Sequence, residues 1–237
     1  GTGDLTIKPS TVSTTIGIGN ASAGTLNLTN AELAFIQSGW NKATFGRVDG
    51  TGAMDLRAYT WNLWDTYFTT LSGAITVNGA QTVTNKLVNF TTNNLNVLAN
   101  LTPSGPTARL EIMPATVSGT FGIGASAVGT LNLTAAELAF IQDGFSQITF
   151  GRLDGTGAVD VRVKTWTDPV TYRSLTGQIT VNGAQTMGAN NLTFETTNLN
   201  LAAALTGTGD LTIKPSNTST TVGVGTGSVG TLNLTGA

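Results

Sequence analysis

Apolar and polar residues alternate in short runs along the whole chain: Leu26 and Leu28 flank Asn27, Ile75 and Val77 flank Thr76, and Leu131 and Leu133 flank Asn132. A period of two sustained over a few residues is the mark of half-buried strands. Most of these runs follow a glycine. Gly3 leads Leu5 and Ile7, Gly24 leads Leu26 and Leu28, Gly52 leads Met54 and Leu56, and Gly73 leads Ile75 and Val77. The leading apolar positions, Leu5, Leu26, Met54 and Ile75, are spaced by 21, 28 and 21 residues, with secondary runs such as Ile16-Gly17-Ile18 and Ala43-Thr44-Phe45 between them. Strands are therefore expected about every ten residues, with one strand type returning at every second strand.

The longer gap contains a different pattern. Thr29-Asn30-Ala31-Glu32 and Thr134-Ala135-Ala136-Glu137 are capping boxes, in which the threonine hydroxyl accepts from the N3 amide and the glutamate reaches back to the N-cap amide. Leu28 with Leu33, and Leu133 with Leu138, stand at the positions of a hydrophobic staple, and Gly39 and Gly144 supply left-handed residues beyond. A helix of two or three turns is predicted at each place. The surrounding stretch, Gly-Thr-Leu-Asn-Leu-Thr-x-Ala-Glu-Leu-Ala-Phe-Ile-Gln-x-Gly, runs from Gly24, returns 105 positions later at Gly129, and begins again 101 positions after that at Gly230. The chain divides accordingly into repeat units over 1–105 and 106–206 and a partial unit over 207–237, expected to form one continuous solenoid whose two ends are uncapped.

Two architectures fit units of this size. About seven short strands per unit also describe tandem immunoglobulin-like sandwiches, but strands of a sandwich need not resemble one another. The 21-residue return of one strand type favours an all-β, right-handed parallel β-helix with a short capped α-helix inserted in each unit of about 100 residues. Glycine then serves tight corners, and the Asn and Thr residues form ladders between layers.

Composition narrows the chemistry. Only 10% of residues are charged and the net charge is −2, so nothing electrostatic invites nucleic acid or an anionic membrane. With 40% of residues hydrophobic and distributed in regular runs, disorder is not the expectation. The sequence holds neither cysteine nor histidine, which removes thiol and imidazole chemistry, disulfides and zinc sites of the usual ligands. No cofactor and no metal is expected, and no run approaches the ~20 apolar residues of a membrane helix. The first residues read as the interior of a repeat rather than as a signal peptide.

The sharpest polar constellation is Gly46-Arg47-Val48-Asp49-Gly50-Thr51-Gly52-Ala53-Met54-Asp55-Leu56-Arg57, which recurs as Gly151 to Arg162. Two carboxylates beside two arginines could be the acid and base of a polysaccharide-cleaving enzyme, or a calcium loop. Structural ion pairs are the favoured reading, because the pattern appears in the same form in both units, as scaffold does, and no catalytic residue is assigned. Aromatics crowd a second place: Trp61, Trp64, Tyr67 and Phe68, answered by Trp166 and Tyr172. That segment, with Asp168-Pro169 in the second unit, reads as a loop leaving the solenoid. Its rings either stack on a sugar or a partner protein, making these six residues the candidate ligand site, or fold back as a satellite core. Hydroxyl rows such as Thr76 with Asn78 are too interrupted for an ice-binding face.

The run from Leu131 to Ala158, Leu-Asn-Leu-Thr-x-Ala-Glu-Leu-Ala-Phe-Ile-Gln-Asp-Gly-Phe-Ser-Gln-Ile-Thr-Phe-Gly-Arg-x-Asp-Gly-Thr-Gly-Ala, resembles the repeats of giant secreted or surface-attached bacterial proteins of the filamentous-haemagglutinin adhesin type. The resemblance implies a right-handed β-helical rod, an extracellular or cell-surface location, and a stalk role in adhesion or cell contact. It carries over no functional residue. The partners expected are neighbouring repeats or other copies end to end, with glycans or surface proteins of another cell in second place. A self-assembling filament or surface-layer subunit, and a carbohydrate-active β-helix enzyme, are the alternatives.

Overall fold

The computed structural model describes residues 3–234. Two compact units are present, one comprising residues 1–115 with 135–146, the other 116–134 with 147–237. Strands are short and many, and every strand pairing within each unit is parallel among the described residues. The chain is all-β with about 3% helix, an arrangement compatible with a β-solenoid and incompatible with tandem antiparallel sandwiches.

In the first unit one sheet runs through Leu5–Ile7, Lys42–Gly46, Asp65–Thr69, Leu87–Thr91 and Arg109–Met113, each paired with the next. The register stacks Ile7, Phe45, Phe68, Phe90 and Ile112 in one row. A second sheet runs in the order Leu95–Val97, Ile75–Val77, Met54–Leu56, Ile16–Ile18, Leu26–Leu28, and a third joins Leu101–Ser104, Gln81–Thr84 and Tyr59–Trp61. The second unit repeats this plan, with one sheet through Gln147–Gly151, Val170–Ser174, Leu192–Thr196 and Leu211–Lys214, and another through Leu131–Leu133, Phe121–Ile123, Val159–Val161, Ile179–Val181 and Leu199–Leu201. Alternate residues of most of these strands face inward and are buried, as the period-two pattern requires, while Leu5–Ile7, Leu26–Leu28 and Leu211–Lys214 stay partly exposed.

Register corrects the sequence reading in one respect. Met54 lies opposite Ile75, so that 21-residue step is one true layer, but Leu5 and Leu26 belong to different sheets of the first unit. A Gly-x-apolar-x-apolar pattern marks an inward-facing strand without saying which of three sheets it joins. Glycine corners explain the recurrence. A Cβ on Gly73 would stand 2.0 Å from the Gly52 carbonyl oxygen, and one on Gly52 would stand 2.1 Å from that of Thr14. Successive layers approach through bare backbone here, and Gly73→Ala should destabilise the protein by ~1–3 kcal/mol, the usual cost of overpacking, in a denaturant titration.

The helices are shorter than the sequence suggests. Each is a single turn, Asn30–Leu33 and Ala135–Leu138, because the chain leaves the helix once Leu33 or Leu138 has reached the core. Both arms of the first capping box form, the Thr29 hydroxyl accepting from the Glu32 amide and the Glu32 carboxylate from the Thr29 amide. Gly39 and Gly144 do adopt positive φ, at 109° and 112°, but at the far end of the turn that follows. Thr29→Ala is expected to lower stability by ~1 kcal/mol, the worth of such a cap, and a melting curve checks it.

Residues 135–146 lie with the first unit. The Leu101 amide donates to the Phe140 carbonyl and the Gln142 amide to the Leu101 carbonyl, so Ile141 continues the third sheet beyond Leu101–Ser104. Leu138 and Phe145 are buried there.

Candidate functional site

Most of the aromatic segment is strand rather than loop, with Trp64 and Trp166 in the short connections between strands. Tyr59–Trp61 and Asp65–Thr69 carry it in the first unit, and Lys164–Thr165 and Val170–Ser174 in the second. Trp61, Trp64, Phe68, Trp166 and Tyr172 are each buried to within 4% of full, and only Tyr67 is half-buried. Five of the six rings proposed for ligand stacking are therefore core, because the strand period carries Thr66 and Phe68 inward and Asp65 and Tyr67 outward. Phe68 stacks between Phe45 and Phe90 at 5.7 and 5.5 Å, with Trp61 edge-on at 5.2 Å. Tyr172 stacks between Phe150 and Phe194 at 5.9 and 5.6 Å. The Lys42 ammonium lies 5.5 Å from the centre of the Tyr67 ring.

A buried polar residue ties each column down, and sequence reasoning missed it. Gln81 is fully buried, its Oε1 accepting from Trp61 Nε1 at 2.8 Å and its Nε2 donating to the Arg57 and Gly79 carbonyls, each at 2.7 Å. Gln185 repeats this in the second unit, accepting from Trp166 Nε1 at 3.0 Å and from the Tyr172 hydroxyl at 3.2 Å, while donating to the Arg162 and Gly183 carbonyls. Burial pushes the Tyr172 phenol far above its ordinary range, so it stays protonated. A signal existed in the matching Asn-Gly-Ala-Gln-Thr of both units. Trp64 has no such partner: its indole N–H is buried without an acceptor among the described residues, and the second unit places Pro169 there, which has no N–H to satisfy.

The Asp–Arg constellation forms clamps. Arg47 grips Asp49 through two hydrogen bonds of 2.8 Å and reaches the Pro9 carbonyl at 3.2 Å, and Arg152 grips Asp154 in the same way. Asp55 accepts from the Ala23 amide at 2.7 Å, from Asn78 at 2.7 Å and from Arg57 at 3.0 Å, joining three layers. Asp160 does the same with Val128, Asn182 and Arg162. Asp55 and Arg57 also line a shallow groove with Thr25, Thr76 and Asn78. Among the described residues no three acidic side chains gather as a metal site would need.

Burial alone would raise the Asp55 and Asp160 carboxyls, but the hydrogen bonds from the asparagine, the main-chain amide and the arginine outweigh it and hold both below the usual range. Their arginines lower Asp49 and Asp154 as well. A carboxyl whose folded pKa is depressed contributes stability that is present above its unfolded pKa of ~3.9 and is lost as pH falls through the folded value. The melting temperature should therefore hold level from pH 8 to 5 and decline below about pH 4, with clamps opening together. A decline centred near neutrality would contradict this.

No helix of the described residues is long and apolar enough to cross a membrane. No protein-family model, curated protein or solved structure matches the chain.

Proposed function

We propose that this chain is a segment of a right-handed β-solenoid stalk in a large bacterial surface adhesin, serving as a stiff spacer between cell and contact rather than as the contact itself. The observation that supports this reading is the use of polar residues. The conspicuous ones, Asp55, Asn78, Arg57 and Gln81, bind layers to each other, and their counterparts Asp160, Asn182, Arg162 and Gln185 do so again. Each layer adds ~4.8 Å, since parallel strands stack at that spacing, and a repeat protein whose layers each meet only their neighbours can lengthen without redesign.

The test is made on the intact source protein. Gold-labelled antibody against residues 1–237 should decorate the outside of unbroken cells, and electron micrographs of the purified parent should show a thin filament whose contour grows by ~4.8 Å for every layer of repeat. Successive strands of the main sheet in the first unit stand 38, 23, 22 and 22 residues apart. Labelling confined to broken cells, or a compact particle, would refute the stalk.

A further inference from the structure

An open groove of about 520 Å³ lies on the outer side of the third sheet of the first unit, beside the helical turn Asn30–Leu33. Asn30, Tyr59, Thr60, Asn62 and Thr82 line it together with two alanines, so no charged side chain borders it. Thr60 and Thr82 lie opposite each other in neighbouring layers, and their sequence neighbours Trp61 and Val83 are buried beneath. The opening is a property of the repeat. Tyr59–Trp61 and its counterpart Lys164–Thr165 both stand at the edge of their sheets.

The frame of the groove recurs in the second unit, and its chemistry does not. Thr60, Ala80 and Thr82 return as Thr165, Ala184 and Thr186, whereas Asn30, Tyr59 and Asn62 are replaced by Ala135, Lys164 and Thr167. All three changes take a ring or an amide out of the same small space. In the first unit these groups are held in place. The half-buried Tyr59 ring lies 4.6 Å from that of Trp61, which is 1% exposed and fastened to Gln81. Burial raises the Tyr59 phenol above its ordinary range, so it stays protonated and able to donate. Asn30 donates through Nδ2 to the Ala58 carbonyl at 3.4 Å, while its buried Oδ1 has no donor among the described residues. A buried acceptor left unpaired is costly, and a hydroxyl brought in by a ligand would remove that cost. Asn62 and Thr60 are exposed beside it.

We propose that this groove binds a neutral saccharide, one sugar ring lying against Tyr59 while its hydroxyls meet the amides of Asn30 and Asn62 and the hydroxyls of Thr60 and Thr82. A sugar carries polarised C–H groups that suit the electron-rich face of an aromatic ring, and hydroxyls that donate and accept as side-chain amides do. The volume lies within the ~300–1,000 Å³ of small-molecule sites, and a ring with a few convergent polar groups is their usual lining. Anionic sugars and phosphates find no cation among the lining residues. Because Trp61 and Gln81 fix Tyr59 before anything binds, little ordering remains to oppose association. The second unit, with Lys164 5.3 Å from the centre of the Trp166 ring and neither amide, lacks the site.

The test titrates the full, isotope-labelled chain with neutral oligosaccharides of hexose, 6-deoxyhexose, pentose and N-acetylhexosamine, and with oligogalacturonate as the anionic probe, following amide and indole signals by NMR. At least one neutral probe should bind with a Kd of ~1 mM or tighter, shifting the Asn30 and Asn62 side-chain amides and the Trp61 indole N–H and leaving that of Trp166 unmoved. Tyr59→Lys and Asn62→Thr introduce what the second unit carries at those places, so the fold tolerates them; each should weaken binding at least tenfold with the melting temperature unchanged. No binding of any neutral probe, equal binding of oligogalacturonate, shifts centred elsewhere, or affinity indifferent to both substitutions would each overturn the proposal. The stalk reading does not depend on the outcome, since a shaft without a side contact is still a spacer.

Discussion

Phe68→Ala should cost ~3–5 kcal/mol, the range for removing a buried phenylalanine from a packed core. Phe68 is 0% exposed and touches aromatic rings on three sides, Phe45 below, Phe90 above and Trp61 across, so truncation opens a cavity bounded by three rigid rings. Such rings cannot close the void by rotamer changes, and the cost falls on the transfer and the cavity alike. Against a total stability of ~5–15 kcal/mol this is a large share. Urea titration followed by tryptophan fluorescence reads it directly, because Trp61 borders the cavity and Trp64 lies in the same unit. Phe35→Ala is the matched control: Phe35 is 83% exposed, and its loss should fall within ~0.5 kcal/mol. A Phe68→Ala loss under ~1 kcal/mol would mean the column can collapse, and the account of it as the spine of the unit would be wrong.

The contrast between Phe68 and Phe35 also marks what the sequence could disclose. Strand existence was legible, because alternation at Leu26, Leu28, Ile75 and Val77 is a local signal, and parallel pairing followed from the recurrence of like strands. The fate of the aromatic segment was not. Trp61, Trp64 and Phe68 sit among Thr, Asn and Asp, a composition that reads as loop, yet their burial is decided by the layers on either side. Parallel strands separated by some 20 residues impose that environment at long range, where local pattern carries no information. The capping box was legible to the atom, while helix length was not, since Leu33 meeting the core ends it. The clamp at Asp55 was read as an ion pair with Arg57, which forms, but its other two partners, Ala23 and Asn78, come from neighbouring layers.

Gln81→Leu is expected to destabilise the first unit by at least ~3 kcal/mol although leucine is nearly isosteric and more apolar. Three groups lose their partner at once: the Trp61 indole N–H and the carbonyls of Arg57 and Gly79. Each buried polar group left unpaired costs ~1–3 kcal/mol, and leucine recovers only part of this through better burial. Gln81→Glu separates hydrogen bonding from shape. The introduced carboxylate can still accept from Trp61 but faces two carbonyl oxygens with no proton to offer, and burial lifts its pKa above the ordinary range. For an acid whose folded pKa is raised, stability is lost as pH rises through that value and regained as the group protonates. The variant should therefore gain stability on going from pH 8 to 5, where the parent stays level. In the second unit Tyr172→Phe removes one of the two donors to Gln185 Oε1 and leaves Trp166 in place, so a loss of only ~1 kcal/mol is expected. Denaturation of these variants, with the indole N–H of Trp61 followed by NMR, gives the comparison. If Gln81→Leu were as stable as the parent, the glutamine would be filling space rather than fastening one layer to the next.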